Sequence, residues 1–75
     1  MPFIFHVTCG NDIGPANICD LGMFASFEGA MAAAEAGFSK LGAPVEVSYV
    51  NYNEWEWVVP EHERFFRILR REIEP

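Results

Sequence analysis

Four side chains could bind a metal ion through nitrogen or sulfur: His6, Cys9, Cys19 and His62. Structural zinc sites bring their ligands in close pairs such as C-x₂₋₄-C, and these four residues show no such spacing. His6 and Cys9 are the closest, but on a strand they point to opposite faces. We therefore expect no metal site and no cofactor, with both cysteines as buried structural thiols.

A cysteine nucleophile needs a base within hydrogen-bonding reach. His6 points to the opposite strand face from Cys9 and cannot act as its base. No feature of the sequence places His62 near Cys9. Cys9 and Cys19 could pair across a hairpin, but residues 1–9 contain no basic export signal and no long apolar stretch. Chains without such a signal usually keep their thiols reduced, so we expect a cytoplasmic protein without membrane association.

Paired carboxylates are a third possible source of chemistry. Glu54 and Glu56 share one face of a predicted strand, and two carboxylates about 5–9 Å apart can hydrolyse glycosides. That reaction needs a pocket of roughly 300–1,000 Å³, and a domain of 75 residues has little room for one. A solvated acidic face is favoured, and we expect no enzymatic activity.

The formal net charge is −6, and it is unevenly distributed. Residues 1–59 contain seven acids and one base, Lys40, whereas residues 60–75 contain four acids and four arginines. Binding to duplex DNA needs a basic patch that neutralises phosphates. We therefore expect no direct duplex binding.

Hydrophobic residues make up 51% of the chain and aromatic residues 15%. With glycine counted and tyrosine left out, the apolar share still exceeds the roughly 45–50% of average globular domains. Small domains without disulfides or metals commonly gain stability by association. A protein partner or a homodimer is expected.

The first half of the chain predicts a hairpin and a helix. Apolar and polar residues alternate over 3–9 and again over 18–24, on either side of a turn-rich segment. Ser26 can cap a helix that runs to about Leu41, and Gly42 can take the left-handed conformation that ends it. Small residues line the back of this helix, and they could let a second helix approach closely: Gly29, Ala33 and Gly37.

The second half predicts another hairpin and a second helix. Strands over 45–50 and 54–59, joined by a three-residue loop, place Tyr49 opposite Trp55 and Val47 opposite Trp57. The outer face of this hairpin then carries Glu46, Glu54 and Glu56, and Asp20 joins them if the first hairpin lies in the same sheet. Pro60 is predicted to open the last helix, whose apolar stripe comprises Phe65, Phe66, Leu69 and Ile73.

These elements predict one α+β domain over residues 1–75, with a small antiparallel sheet in ββαββα order and two helices packed on one face. We expect a non-enzymatic protein-interaction module, an anti-defence inhibitor of phage or mobile-element type, that binds a basic nucleic-acid-handling protein by charge mimicry. Its binding residues would be Asp20, Glu46, Glu54 and Glu56. The alternative is an accessory subunit that self-associates through Gly29, Ala33 and Gly37.

Overall fold

The computed structural model describes residues 3–11 and 19–73. One α-helix lies on one face of a five-stranded antiparallel sheet, whose strands are arranged in the order β2-β1-β5-β4-β3. The elements are β1 (Phe3–Asn11), β2 (Cys19–Phe24), α1 (Phe27–Ser39), β3 (Glu46–Val50), β4 (Glu54–Val59) and β5 (Arg64–Glu72). The chain forms a small compact α+β domain, with a Cα radius of gyration of 12.4 Å. No helix in the described ranges is long and apolar enough to cross a membrane.

The predicted second helix is wrong, and the observed order is ββαβββ. Pro60–His62 form only a single 3₁₀ turn, which ends at Glu63 in the left-handed conformation (φ 53°). The chain then continues as β5, which pairs with β1 on one side and β4 on the other. Phenylalanine and isoleucine suit a pleated surface as well as a helix, and in the centre of the sheet β5 buries Phe66 and Ile68.

The first predicted helix is confirmed. The hydroxyl of Ser26 accepts a hydrogen bond from the backbone N–H of Gly29 at 3.1 Å, which satisfies one of the free donors of the first turn. After the helix, Gly42 has φ +62°, a conformation that costs glycine little. The Ser26 cap and the glycine that follows the helix therefore lie where the sequence predicted them.

The core lies between α1 and the sheet. Ala30 and Ala34 of the helix pack against Val7 of β1 and Ile68 of β5, and all four are fully buried. Aromatic side chains surround this centre, with the rings of Phe27 and Trp55 4.8 Å apart. A second buried cluster contains Cys9, Val59 and Phe66.

The second hairpin forms as predicted, but with a different register near its turn. Val47 lies opposite Trp57, as expected, whereas Val50 and not Tyr49 lies opposite Trp55. The backbone N–H groups of Asn53 and Glu54 both donate to the side-chain oxygen of Asn51 at 2.8 Å, and an irregularity between Val47 and Tyr49 shifts the pairing. Tyr49 consequently leaves the helix side and lies opposite Glu56.

Candidate interaction surface

The sheet face opposite α1 is called the open face. Strand alternation and cross-strand register assign side chains to it, and two rows run across the strands. One row contains Asp20, Thr8, Arg67, Glu56 and Tyr49; the other contains Met23, His6, Leu69 and Glu54. Glu46 lies on the same face, opposite Val58. All four acids named from the sequence therefore share the open face.

Arg67 partly neutralises that acidic face. Its Nη2 donates to Oε1 of Glu56 at 2.7 Å, and its Nε lies 4.0 Å from Oε2 of Glu54. β5 places this arginine between the two hairpins, next to glutamates of β4. Glu46 makes no ion pair with any described residue and is exposed. Its charge is therefore the freest of the three glutamates.

Asp20 sits at the far side of the open face, on β2. Its Oδ1 accepts a hydrogen bond from the backbone N–H of Gly22 at 2.8 Å and lies 3.1 Å from Nε2 of His6, within ion-pair distance but without hydrogen-bond alignment. The Gly22 N–H, followed by His6, lowers the pKa of Asp20 below its usual range. The carboxylate is charged and well exposed.

Exposed apolar side chains concentrate in the second hairpin. Six large apolar residues are exposed in the described ranges, and four belong to residues 47–52. We call these four the hairpin patch: Val47, Tyr49, Val50 and Tyr52. The predicted pairing with Trp55 and Trp57 would place Tyr49 and Val47 on the helix side of the sheet. α1 packs mainly on β1, β2 and β5, however, and leaves the hairpin patch uncovered.

The hairpin patch is held in place by a stacked arginine. The guanidinium carbon of Arg70 lies 4.2 Å from the ring centre of Tyr52 and 4.4 Å from that of Phe3. The backbone N–H of Arg70 also donates to the carbonyl oxygen of Asn53 at 2.8 Å. The loop is thereby fastened to β5 and β1, although every residue of β3 is exposed.

Residues of the small helix strip contact the protein's own sheet. A Cβ placed on Gly37 would lie 2.6 Å from the ring of Phe66, and one on Gly29 would lie 3.4 Å from the ring of Phe24. Ala33 is half-buried beside them. Close packing within the chain accounts for the glycine at position 37, and self-association through the strip stays a prediction.

Of the four possible metal ligands, Cys9 and Cys19 lie opposite each other on β1 and β2, whereas the two histidines lie elsewhere. His6 lies on the open face, and Nε2 of His62 is 3.1 Å from the carbonyl oxygen of Leu41. The described residues contain no group of three or more His, Cys, Asp and Glu side chains suited to a metal ion. Cys9 is buried, but Cys19 is exposed, contrary to the expectation of two buried thiols.

No protein-family model, curated protein or solved structure matches this chain.

Proposed function

We propose that this chain is a non-enzymatic protein-interaction module that binds its partner through the β3–β4 hairpin. The hairpin patch carries this proposal, because one hairpin holds four of the six exposed large apolar side chains of the described residues, and concentrated apolar exposure marks binding surfaces more often than scattered exposure does. Tyr49 lies on the open face, whereas Val47 and Val50 lie on the helix side of the edge strand β3. The loop is anchored by Arg70, so little conformational freedom is lost on binding. Tyrosines such as Tyr49 and Tyr52 are also frequent among residues that dominate interface energies.

The charge around the patch favours a basic partner. Glu46 and Glu56 flank Tyr49 on the open face, and the chain carries a net charge of −6. Such a surface attracts the basic groove of a nucleic-acid-handling protein by imitating phosphate charge. More specifically, we propose that the chain inhibits such a protein, as anti-defence proteins of phages and mobile elements do. Since Arg67 pairs with Glu54 and Glu56, Glu46 is the least neutralised glutamate beside the hairpin patch.

A matched pair of variants tests the hairpin. Val50 and Met23 are both 58% exposed, one in the hairpin patch and the other on β2. Tagged wild type, Val50→Ser and Met23→Ser are used to capture proteins from a lysate of the native host, with quantification by mass spectrometry. We expect a partner that wild type and Met23→Ser retain and Val50→Ser loses. Equal capture by both variants would contradict binding through the hairpin.

A second pair tests the charge. Glu46→Gln removes an acid beside the hairpin patch, and Glu35→Gln removes an exposed acid from α1. With the captured partner purified, we expect Glu46→Gln to weaken binding several-fold at low salt and Glu35→Gln to leave it unchanged. The difference between Glu46→Gln and wild type should shrink as salt rises, because exposed charges are screened. A binding affinity that changes neither with salt concentration nor with Glu46→Gln would rule out charge mimicry.

The second candidate function is self-association as an accessory subunit, which the outer edge of β3 favours. No described strand pairs with that edge, so its backbone donors and acceptors are available to another strand. Analytical ultracentrifugation distinguishes two routes to a dimer. A dimer through β3 should be lost in Val47→Lys, and one through the helix strip in Ala33→Glu. A monomer at high concentration would exclude both.

A further inference from the structure

Cys9 and Cys19 face each other across the β1–β2 pair. They are register partners at the end of this ladder, so their side chains lie on the same face of the sheet. Directly opposite residues of antiparallel strands have Cα atoms about 4.5 or 5.5 Å apart. Both separations fall within the roughly 4.4–6.8 Å that disulfides span, so the Cα spacing of this pair is compatible with a bond.

The two thiols differ in access. Cys9 is only 6% exposed and packs in the second core cluster beside Val59 and Phe66, whereas Cys19 is exposed on the edge strand. Burial, reinforced by the neighbouring Cys19 thiol, raises the pKa of Cys9 above its usual value. A reagent in solution therefore meets Cys19 first, and Cys9 is reached through it.

We propose that Cys9 and Cys19 are a thiol–disulfide switch that closes reversibly within one chain. The oxidant is a small disulfide of the glutathione class. The thiolate of Cys19 attacks one sulfur of that disulfide, forms a mixed disulfide and releases one glutathione thiol. Cys9 then loses its proton and attacks the Cys19 sulfur, which releases the second glutathione thiol. Two protein thiols become one disulfide, and one glutathione disulfide becomes two thiols.

Closure would fasten the edge strand β2 to its neighbour β1. Among the described strands β2 pairs with β1 alone, and this pairing contains an irregularity between Val7 and Thr8. A bond at the Cys9–Cys19 end ties the far end of that ladder and restrains the unfolded chain between the two residues. The oxidised protein should resist unfolding more strongly than the reduced one.

Redox titration of the folded wild type tests the switch. The protein is equilibrated in buffers of varying ratio of reduced to oxidised glutathione, then acid-quenched and measured by intact mass and thiol counting. We expect a monomer that loses the mass of two hydrogen atoms and both free thiols, regains them on reduction, and melts at a higher temperature when oxidised. Stable glutathione adducts, covalent dimers or no reaction would each overturn the proposal.

Two variants separate the steps. Cys9→Ser should accumulate a glutathione adduct on Cys19, because the second thiol is missing, and Cys19→Ser should react slowly or not at all. Rapid modification of Cys9 in folded Cys19→Ser would contradict the assigned order. If either variant fails to fold, the wild-type mass and melting measurements still decide whether the disulfide forms.

Discussion

The guanidinium group of Arg67 lies 2.7 Å from the carboxylate of Glu56 and joins β5 to β4 on the open face. The Glu56 side chain is 19% exposed and that of Arg67 is 37% exposed, so water screens this pair only in part. A charge-assisted contact of this kind both stabilises the sheet and lowers the net charge of the acidic surface.

Replacing Arg67 should destabilise the protein through Glu56. We expect Arg67→Met to lower the free energy of unfolding by about 1 kcal/mol, and to cost less in a Glu56→Gln background. Urea denaturation of the four proteins of this double-mutant cycle measures the coupling. Arg71→Met is the control, because Arg71 lies on the same strand and face without an ion pair to any described residue. Zero coupling would show that the contact is energetically neutral.

Two isoleucines distinguish the observed strand from the predicted helix. Ile68 is fully buried in β5, whereas Ile73 is 41% exposed. Ile68→Ala should therefore lower the free energy of unfolding by about 3 kcal/mol. Ile73→Ala should change it by less than about 0.5 kcal/mol. The helical stripe would reverse this order, since it includes Ile73 and omits Ile68. Chemical denaturation decides between them.

Replacing Gly37 with alanine is expected to destabilise the protein, although alanine usually stabilises a helix relative to glycine. Alanine in place of an exposed helical glycine gains roughly 0.5–1 kcal/mol. Here the added Cβ would lie 2.6 Å from the Phe66 ring, which is itself buried and cannot yield easily. We expect Gly37→Ala to destabilise by about 1–3 kcal/mol. Gly29→Ala, whose nearest contact is 3.2 Å from the Ser26 hydroxyl, should cost less in the same thermal unfolding assay.

Asp20 should contribute stability that depends on pH. The N–H of Gly22 and then His6 lower the pKa of this carboxyl in the folded protein, so folding favours its charged form. The contribution is complete above the unfolded pKa of about 3.9 and is lost as pH falls through the lower folded value. Asp20→Asn should therefore be less stable than wild type near neutral pH and equally stable in strong acid.

Urea midpoints across this pH range measure the Asp20 effect. Glu35→Gln serves as the control, because Glu35 is exposed on α1 and forms no ion pair with a described residue. It should show little difference from wild type at any pH. A constant deficit of Asp20→Asn down to strong acid would mean that its charge is not the cause.

Local chemistry determined most of the elements. Alternation along β1 and β4, the cap at Ser26 and the glycine at position 42 each act over a few residues, so the sequence alone located these features. The same alternation placed Glu54 and Glu56 on one face, and the tertiary register added Asp20 to it.

Tertiary structure decided that residues 64–72 form a strand and not a helix. This strand also changed which charges and apolar side chains are exposed on the surface. The apolar residues of 64–72 fit a helical stripe as well as a strand, and Pro60 with its neighbouring acids favoured a helix. Pairing with Phe3–Asn11 on one side and β4 on the other satisfies the backbone of β5 along both of its edges. β1 lies more than fifty residues before β5 in the sequence, so local periodicity could not reveal this pairing. That pairing moved Arg67 between the acids, and α1, packed mainly on β1, β2 and β5, left the hairpin patch uncovered.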